Sequence, residues 1–210
     1  MLLTQAVLFD LDGTLVDTVP LIVKTYRQVF RDLDIPWGDN EVVKYIGLPL
    51  VEIAGHFEVK DREHFVELYQ HYYKIDHDSA TKLFPGTFEI MSHLKGLGIK
   101  LGLVTSKGKP VTTRTLAFTK LDGLLDAIVT AHDVINPKPS AEPVEKALAA
   151  LSVPPERAIM VGDSRFDILT GKESGTRTLG VAWGLESREA LERLNPDGLL
   201  ETWDEINRYL

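Results

Sequence analysis

The stretch VLFDLDGTLVDT, residues 7–18, sets Asp10, Asp12 and Asp17 directly behind an apolar run. Two aspartates at the mouth of a buried strand repel: about 4 kcal/mol is the scale for unit charges about 4 Å apart at an effective dielectric of about 20. Something positive must compensate. Other polar residues also stand at the ends of apolar runs. These are Thr105 and Ser106, Lys138 between Pro137 and Pro139, and Asp163 and Ser164, with Asp167 shortly after. Taken singly, each has a plain structural reading. Asp12-Gly13 is an ordinary turn pair, Thr105-Ser106 can end a strand and cap a helix, and Lys138 can be a surface lysine. Brought together at strand ends, carboxylates, hydroxyls and an ammonium make a site. A Mg²⁺ ion, a hard cation that prefers oxygen ligands, would relieve the repulsion among the carboxylates.

The elements that must position these residues are legible in the hydrophobic pattern. The runs at 6–11, 100–106, 126–131, 157–163 and 176–184 are continuous rather than alternating, as befits strands covered on both faces. Segment 86–98 has apolar residues at helical spacing and ends on Gly96 and Gly98, and segment 140–153 runs from a serine cap to Pro154-Pro155. Strand alternating with helix predicts an α/β doubly wound, Rossmann-like and mostly parallel sheet. Ligands of such sheets lie outside the carboxyl ends of the strands. Between Thr18 and Lys82 no strand is apparent, only helical patterns at 20–33 and 61–75. The expected organisation is an α/β core of residues 1–17 and 83–210, with a helical unit, 18–82, inserted after the first strand and hinged near 15–18 and 79–86. The aromatic residues of that insertion, Tyr26, Phe30, Phe65 and Tyr69 among them, suit a small core of their own.

Composition narrows the function. The chain of 210 residues carries a net charge of -8, which argues against a nucleic-acid surface. It has no cysteine, hence no disulfide, thiolate nucleophile or cysteine-based zinc site. His56, His64, His71 and His77 show no metal-ligand spacing such as HExxH. No apolar run approaches the ~18 residues of a membrane span, and the first residues lack a signal-peptide pattern. The expected setting is cytoplasmic, without nucleic-acid or membrane partners.

The set DLDGT, VTS, KP and GDSRFD, in this order, resembles the four motifs of the haloacid dehalogenase superfamily, and the inserted helices resemble its cap. FDLDGTLVDT and YIGLPL are similar to the phosphoglycolate phosphatase group, although NPKP lacks the usual glycine and Lys172-Glu173 replace commoner small residues. The resemblance implies phosphoryl transfer, in which a protein supplies positioning and charge stabilisation. Asp10 would be the nucleophile, and Asp12 the acid that protonates the leaving group and then the base that activates water. Mg²⁺ would be held by the Asp10 carboxylate, the Asp12 backbone carbonyl and Asp163, with Asp167 bonded to metal waters or Lys138. Thr105, Ser106 and Lys138 would bind the phosphoryl group, with Thr14 bracing the loop. Gly47, in the YIGLPL loop, would let the cap approach the substrate. The expected partner is a small phosphorylated metabolite such as phosphoglycolate, bound by a monomer or weak dimer. A sugar phosphomutase of the β-phosphoglucomutase kind, an inorganic pyrophosphatase and a catalytically silent phosphate-binding module are the alternatives. Haloalkanoate dehalogenation is disfavoured by Asp12, and a signalling receiver domain by the length of the chain.

Overall fold

Apolar side chains at most positions make the five runs strands, and their polar ends leave the sheet. In the computed structural model, which describes residues 3–210, the strands are β1 (Ala6–Phe9), β2 (Lys100–Val104), β3 (Ala127–Val129), β4 (Ala158–Gly162) and β5 (Arg177–Val181). Residues 1 and 2, the start of the expected core segment, lie outside the described residues. A sixth strand, β6 (Gly198–Leu200), was not apparent in the sequence: it is three residues long and only Leu200 is buried. The sheet is parallel throughout, in the order β3-β2-β1-β4-β5-β6. Phe9 lies between Leu103 and Val161, so β1 is central and the strand order reverses beside it.

The helices are α1 (Val19–Asp32), α2 (Leu50–His56), α3 (Arg62–Ala80), α4 (Thr87–Gly96), α5 (Lys109–Thr119), α6 (Glu142–Leu151), α7 (Arg165–Glu173) and α8 (Arg188–Glu192). Alternate residues of β1 serve opposite faces, as the two-residue period of a strand requires. Val7 and Phe9 pack with Ile90, Met91 and Leu94 of α4 and with Trp203, whereas Ala6 and Leu8 pack with Val144, Ala147 and Leu148 of α6. A third apolar cluster, built on Tyr26, Phe30, Phe65, Tyr69 and Tyr73, joins α1, α2 and α3. These helices follow β1, and the chain returns towards the sheet beside the strand it left by. Val16 bridges Leu83 in antiparallel fashion, the Asp17 amide donates to the Lys82 carbonyl (2.7 Å) and the Phe84 amide to the Leu15 carbonyl (3.1 Å).

Candidate active site

A two-residue strand period would point Asp10 and Asp12 the same way, but β1 stops at Phe9 and both residues lie beyond it. Each carboxylate instead has its own cation. Lys138 Nζ donates to Asp10 Oδ1 (2.8 Å) and to Asp167 Oδ1 (2.6 Å), deep in the protein. Lys107 Nζ donates to Asp12 Oδ1 (2.5 Å) and to the Tyr73 hydroxyl of α3 (2.8 Å), and lies over the Tyr73 ring. Thr18, at the start of α1, also donates to Asp12 Oδ1 (2.5 Å). Thus Asp12 receives bonds from both sides of the 18–82 connection. Lys107 escaped sequence reading because a lone lysine in a polar loop carries no spacing signal; its only cue is that it directly follows Thr105-Ser106.

Prolines on both sides of Lys138 would favour an extended segment, which the structure does not have there. The Ser140 amide donates to the Pro137 carbonyl (2.9 Å), so Lys138 sits in a turn with a cis bond to Pro139.

The loop after β1 turns at Gly13, whose φ of +87° is open to glycine. A Cβ there would come within 2.1 Å of Asp163 Oδ2, so the backbone lies directly on this carboxylate. Asp163 accepts from the Thr14 hydroxyl (2.7 Å) and the Leu185 amide (2.8 Å). Asp167 caps α7 through the Ser164 amide (3.0 Å) and hydroxyl (2.6 Å). That cap fixes its Oδ2 and turns Oδ1 to Lys138. Carboxylate oxygens of Asp10, Asp163 and Asp167 all lie within 4.8 Å of one another. Ser106 Oγ is buried and has no partner among the described residues, whereas Thr105 Oγ1 accepts from the Lys107 amide (3.1 Å). Gly47 reaches the same place from the insertion: its φ is +111°, and a Cβ would meet the Phe166 ring of α7 at 2.7 Å. Asp10, Asp12, Gly47, Thr105, Ser106, Asp163 and Asp167 line one cavity of about 300 Å³.

The electrostatics follow from crowding. Burial pushes Asp10 up to about 7 despite Lys138, and burial with the charges of Asp167 and Asp10 drives Asp163 well above the usual carboxylate range. Burial disfavours the Lys138 ammonium, but Asp10 and Asp167 outweigh it, and its pKa rises. A buried all-oxygen donor set in which Asp10 and Asp163 resist ionisation suits a hard divalent cation. Between the ordinary Asp value of 3.8 and about 7, the folded protein keeps a proton at Asp10 that the unfolded chain has lost. Stability from this source therefore falls as pH rises through that window. His77 has a lowered pKa because it is buried, which gives the opposite slope. Comparison with Asp10→Asn removes that contribution. In chelator, the Tm of wild type minus that of Asp10→Asn should decrease from pH 4 to pH 7; a rising difference would contradict the assignment.

A profile of the haloacid dehalogenase-like hydrolases matches residues 7–181, which span the whole site. The chain belongs to the haloacid dehalogenase-like hydrolases. It is 36% identical over 203 residues to pyrophosphatase PpaX of Anoxybacillus flavithermus, covering 96% of this chain and 94% of that one. The PpaX of Bacillus velezensis is also 36% identical, with the same coverage. A haloacid dehalogenase-like family hydrolase from Streptococcus pneumoniae superposes with a TM-score of 0.83 at 27% identity, covering 98% of both chains. This haloacid dehalogenase-like chain is therefore an enzyme of the phosphatase type. Among its described residues no helix is long and apolar enough to cross a membrane.

Proposed function

We propose that this hydrolase cleaves a small phosphomonoester through an aspartyl-phosphate on Asp10, with Mg²⁺ as cofactor. One observation carries the reading. The bonds that hold Asp10 and Asp12 fall on Oδ1 of each, and Oδ2 of each has no partner among the described residues while both residues line one cavity. Asp10 Oδ2 is free to attack phosphorus, and the leaving oxygen departs with a proton from Asp12 Oδ2. A water then attacks the phosphorus of the aspartyl-phosphate, giving its proton to Asp12 and releasing inorganic phosphate and the Asp10 carboxylate. Ser106 Oγ, unpartnered among the described residues, donates to a phosphoryl oxygen, as does Thr105, and the Lys138 ammonium offsets the developing charge. The Asp10 carboxylate, Asp12 backbone carbonyl and Asp163 would hold Mg²⁺, with Asp167 kept for Lys138. Bound there, the ion would supply Lewis-acid stabilisation of the phosphoryl oxygens.

The inserted helices act as a cap over this site, and Gly47 brings their loop onto α7. The partner is a small phosphorylated metabolite in the cytoplasm, met by a monomer or weak dimer, with no nucleic acid or membrane involved. The name of the PpaX relatives favours a second reading, inorganic pyrophosphate as substrate. Release of inorganic phosphate, with no phosphoryl transfer to an added sugar phosphate, separates a hydrolase from a mutase.

Asp12→Ala tests the acid role. Alkyl phosphates should lose about 100-fold or more in kcat, whereas aryl phosphates, whose leaving groups need less protonation, should lose markedly less. Equal losses for the two classes would contradict the role. The Mg²⁺ concentration giving half-maximal activity should shift less in Asp12→Ala than in Asp163→Ala, since the former keeps its backbone carbonyl.

A further inference from the structure

A phosphate substrate has two ends, and the residues just described grip only one. The other end must lie against the insertion, where the cavity is walled by Ile22, Leu48, Val66 and Val111 and by the rings of Tyr26 and Tyr69. Burial raises the pKa of both phenols and of Tyr73, so they present neutral hydroxyls. One lysine lines the cavity among the described residues, Lys107, and His132 lies exposed at its edge. Lys107 is already committed to Asp12 and Tyr73. Lys138 is held between Asp10 and Asp167 at the phosphoryl end.

These walls discriminate by charge. The leaving group of pyrophosphate is itself a phosphate, and that of phosphoglycolate bears a carboxylate. Either would bring net negative charge against apolar walls, beside Asp12, with one lysine that Asp12 already engages. Burying charge without a partner is expensive, whereas an apolar group gains by leaving water. We propose that the substrate of this site is a phosphomonoester whose leaving alcohol is uncharged and mainly apolar. A cavity of about 300 Å³ leaves room for a group the size of one ring beside the phosphoryl group. This inference rests on the phosphatase reading above and replaces its acidic candidates.

The test compares kcat/KM for benzyl phosphate, phosphoglycolate and pyrophosphate with Mg²⁺. Benzyl phosphate and phosphoglycolate both expel an alkoxide, so the leaving-group charge is what chiefly separates them. The wild-type enzyme should prefer benzyl phosphate by about tenfold or more over both. Gln70→Lys, an exposed position of α3 on the cavity wall, should narrow that preference by supplying a free cation, and Val66→Lys is a second such variant. Preference of the wild type for pyrophosphate or phosphoglycolate, with turnover still lost in Asp10→Asn, would overturn the inference alone. No hydrolysis of any of the three, nor of an aryl phosphate, would overturn the phosphatase reading and the inference with it. Both lysine variants folding with an unchanged substrate ratio would also overturn the inference.

Discussion

Asp10→Asn should abolish turnover while leaving the fold intact. The amide has the shape of the carboxylate but is a poor nucleophile, and losing a covalent catalyst should cost about three powers of ten or more in kcat. The substitution also removes a buried charge that its surroundings oppose, so in chelator the variant should be at least as stable as wild type near pH 7. Steady-state hydrolysis and thermal unfolding on the same preparation check both halves. Retained activity above about one percent of wild type would remove Asp10 from the nucleophile's place.

The second large effect is expected at Lys138. Its ammonium is 2% exposed and bridges Asp10 and Asp167, two buried carboxylates. Lys138→Met would leave both without their cation, and breaking such a buried pair costs about 3–5 kcal/mol. On the proposed reading, activity should fall by about 100-fold or more, since the preorganised charge that offsets the phosphoryl group's is lost. Loss of stability alone could explain loss of activity, and a double variant separates the two. Lys138→Met with Asp167→Asn removes one of the abandoned charges, so much of the stability should return. The activity should not, because the ammonium that the proposed reading requires is still missing. Denaturant unfolding and kinetics of the three proteins give the answer. Recovery of activity in the double variant would make Lys138 a purely structural residue.

Much of this arrangement is legible in the amino-acid order, for a physical reason. Strands buried on both faces need continuous apolar runs, so any polar residue at their end stands out, as Asp10, Thr105 and Asp163 do. The sheet class follows from the same runs. What escapes is whatever depends on pairing across space. β6 is a Gly-Leu-Leu edge that becomes a strand only because β5 offers it a partner, through Gly180 and Leu199 among others. Lys107 looks like any loop lysine until Asp12 and Tyr73 are seen on either side of it. The placement of Lys138 in a turn depends on the Ser140 amide meeting the Pro137 carbonyl, which two prolines in sequence do not reveal. Asp167, read as an accessory to the metal waters or to Lys138, shares a 4.8 Å neighbourhood with Asp10 and Asp163.

The paired stretches near Val16 and Leu83 bear on how such a protein can change. Because residues 15–17 and 82–84 run side by side, the chain leaves the sheet and returns through adjacent openings. Everything threaded between them resembles a fitting held in a two-pin socket. Exchanging the fitting asks only that its two ends meet the same pins, and no strand of the sheet need shift register. Asp10, Lys138 and Asp163 stand on the socket side, whereas Ile22, Leu48 and Tyr69 belong to the fitting. On the proposed reading, exchanging the fitting would change the wall that meets the leaving group while Asp10, Lys138 and Asp163 stay in place. One link between them runs to Asp12: Thr18, and Tyr73 through Lys107, converge on the single oxygen Asp12 Oδ1. A replacement lacking those two hydroxyls would sit in the socket yet leave Asp12 unbraced.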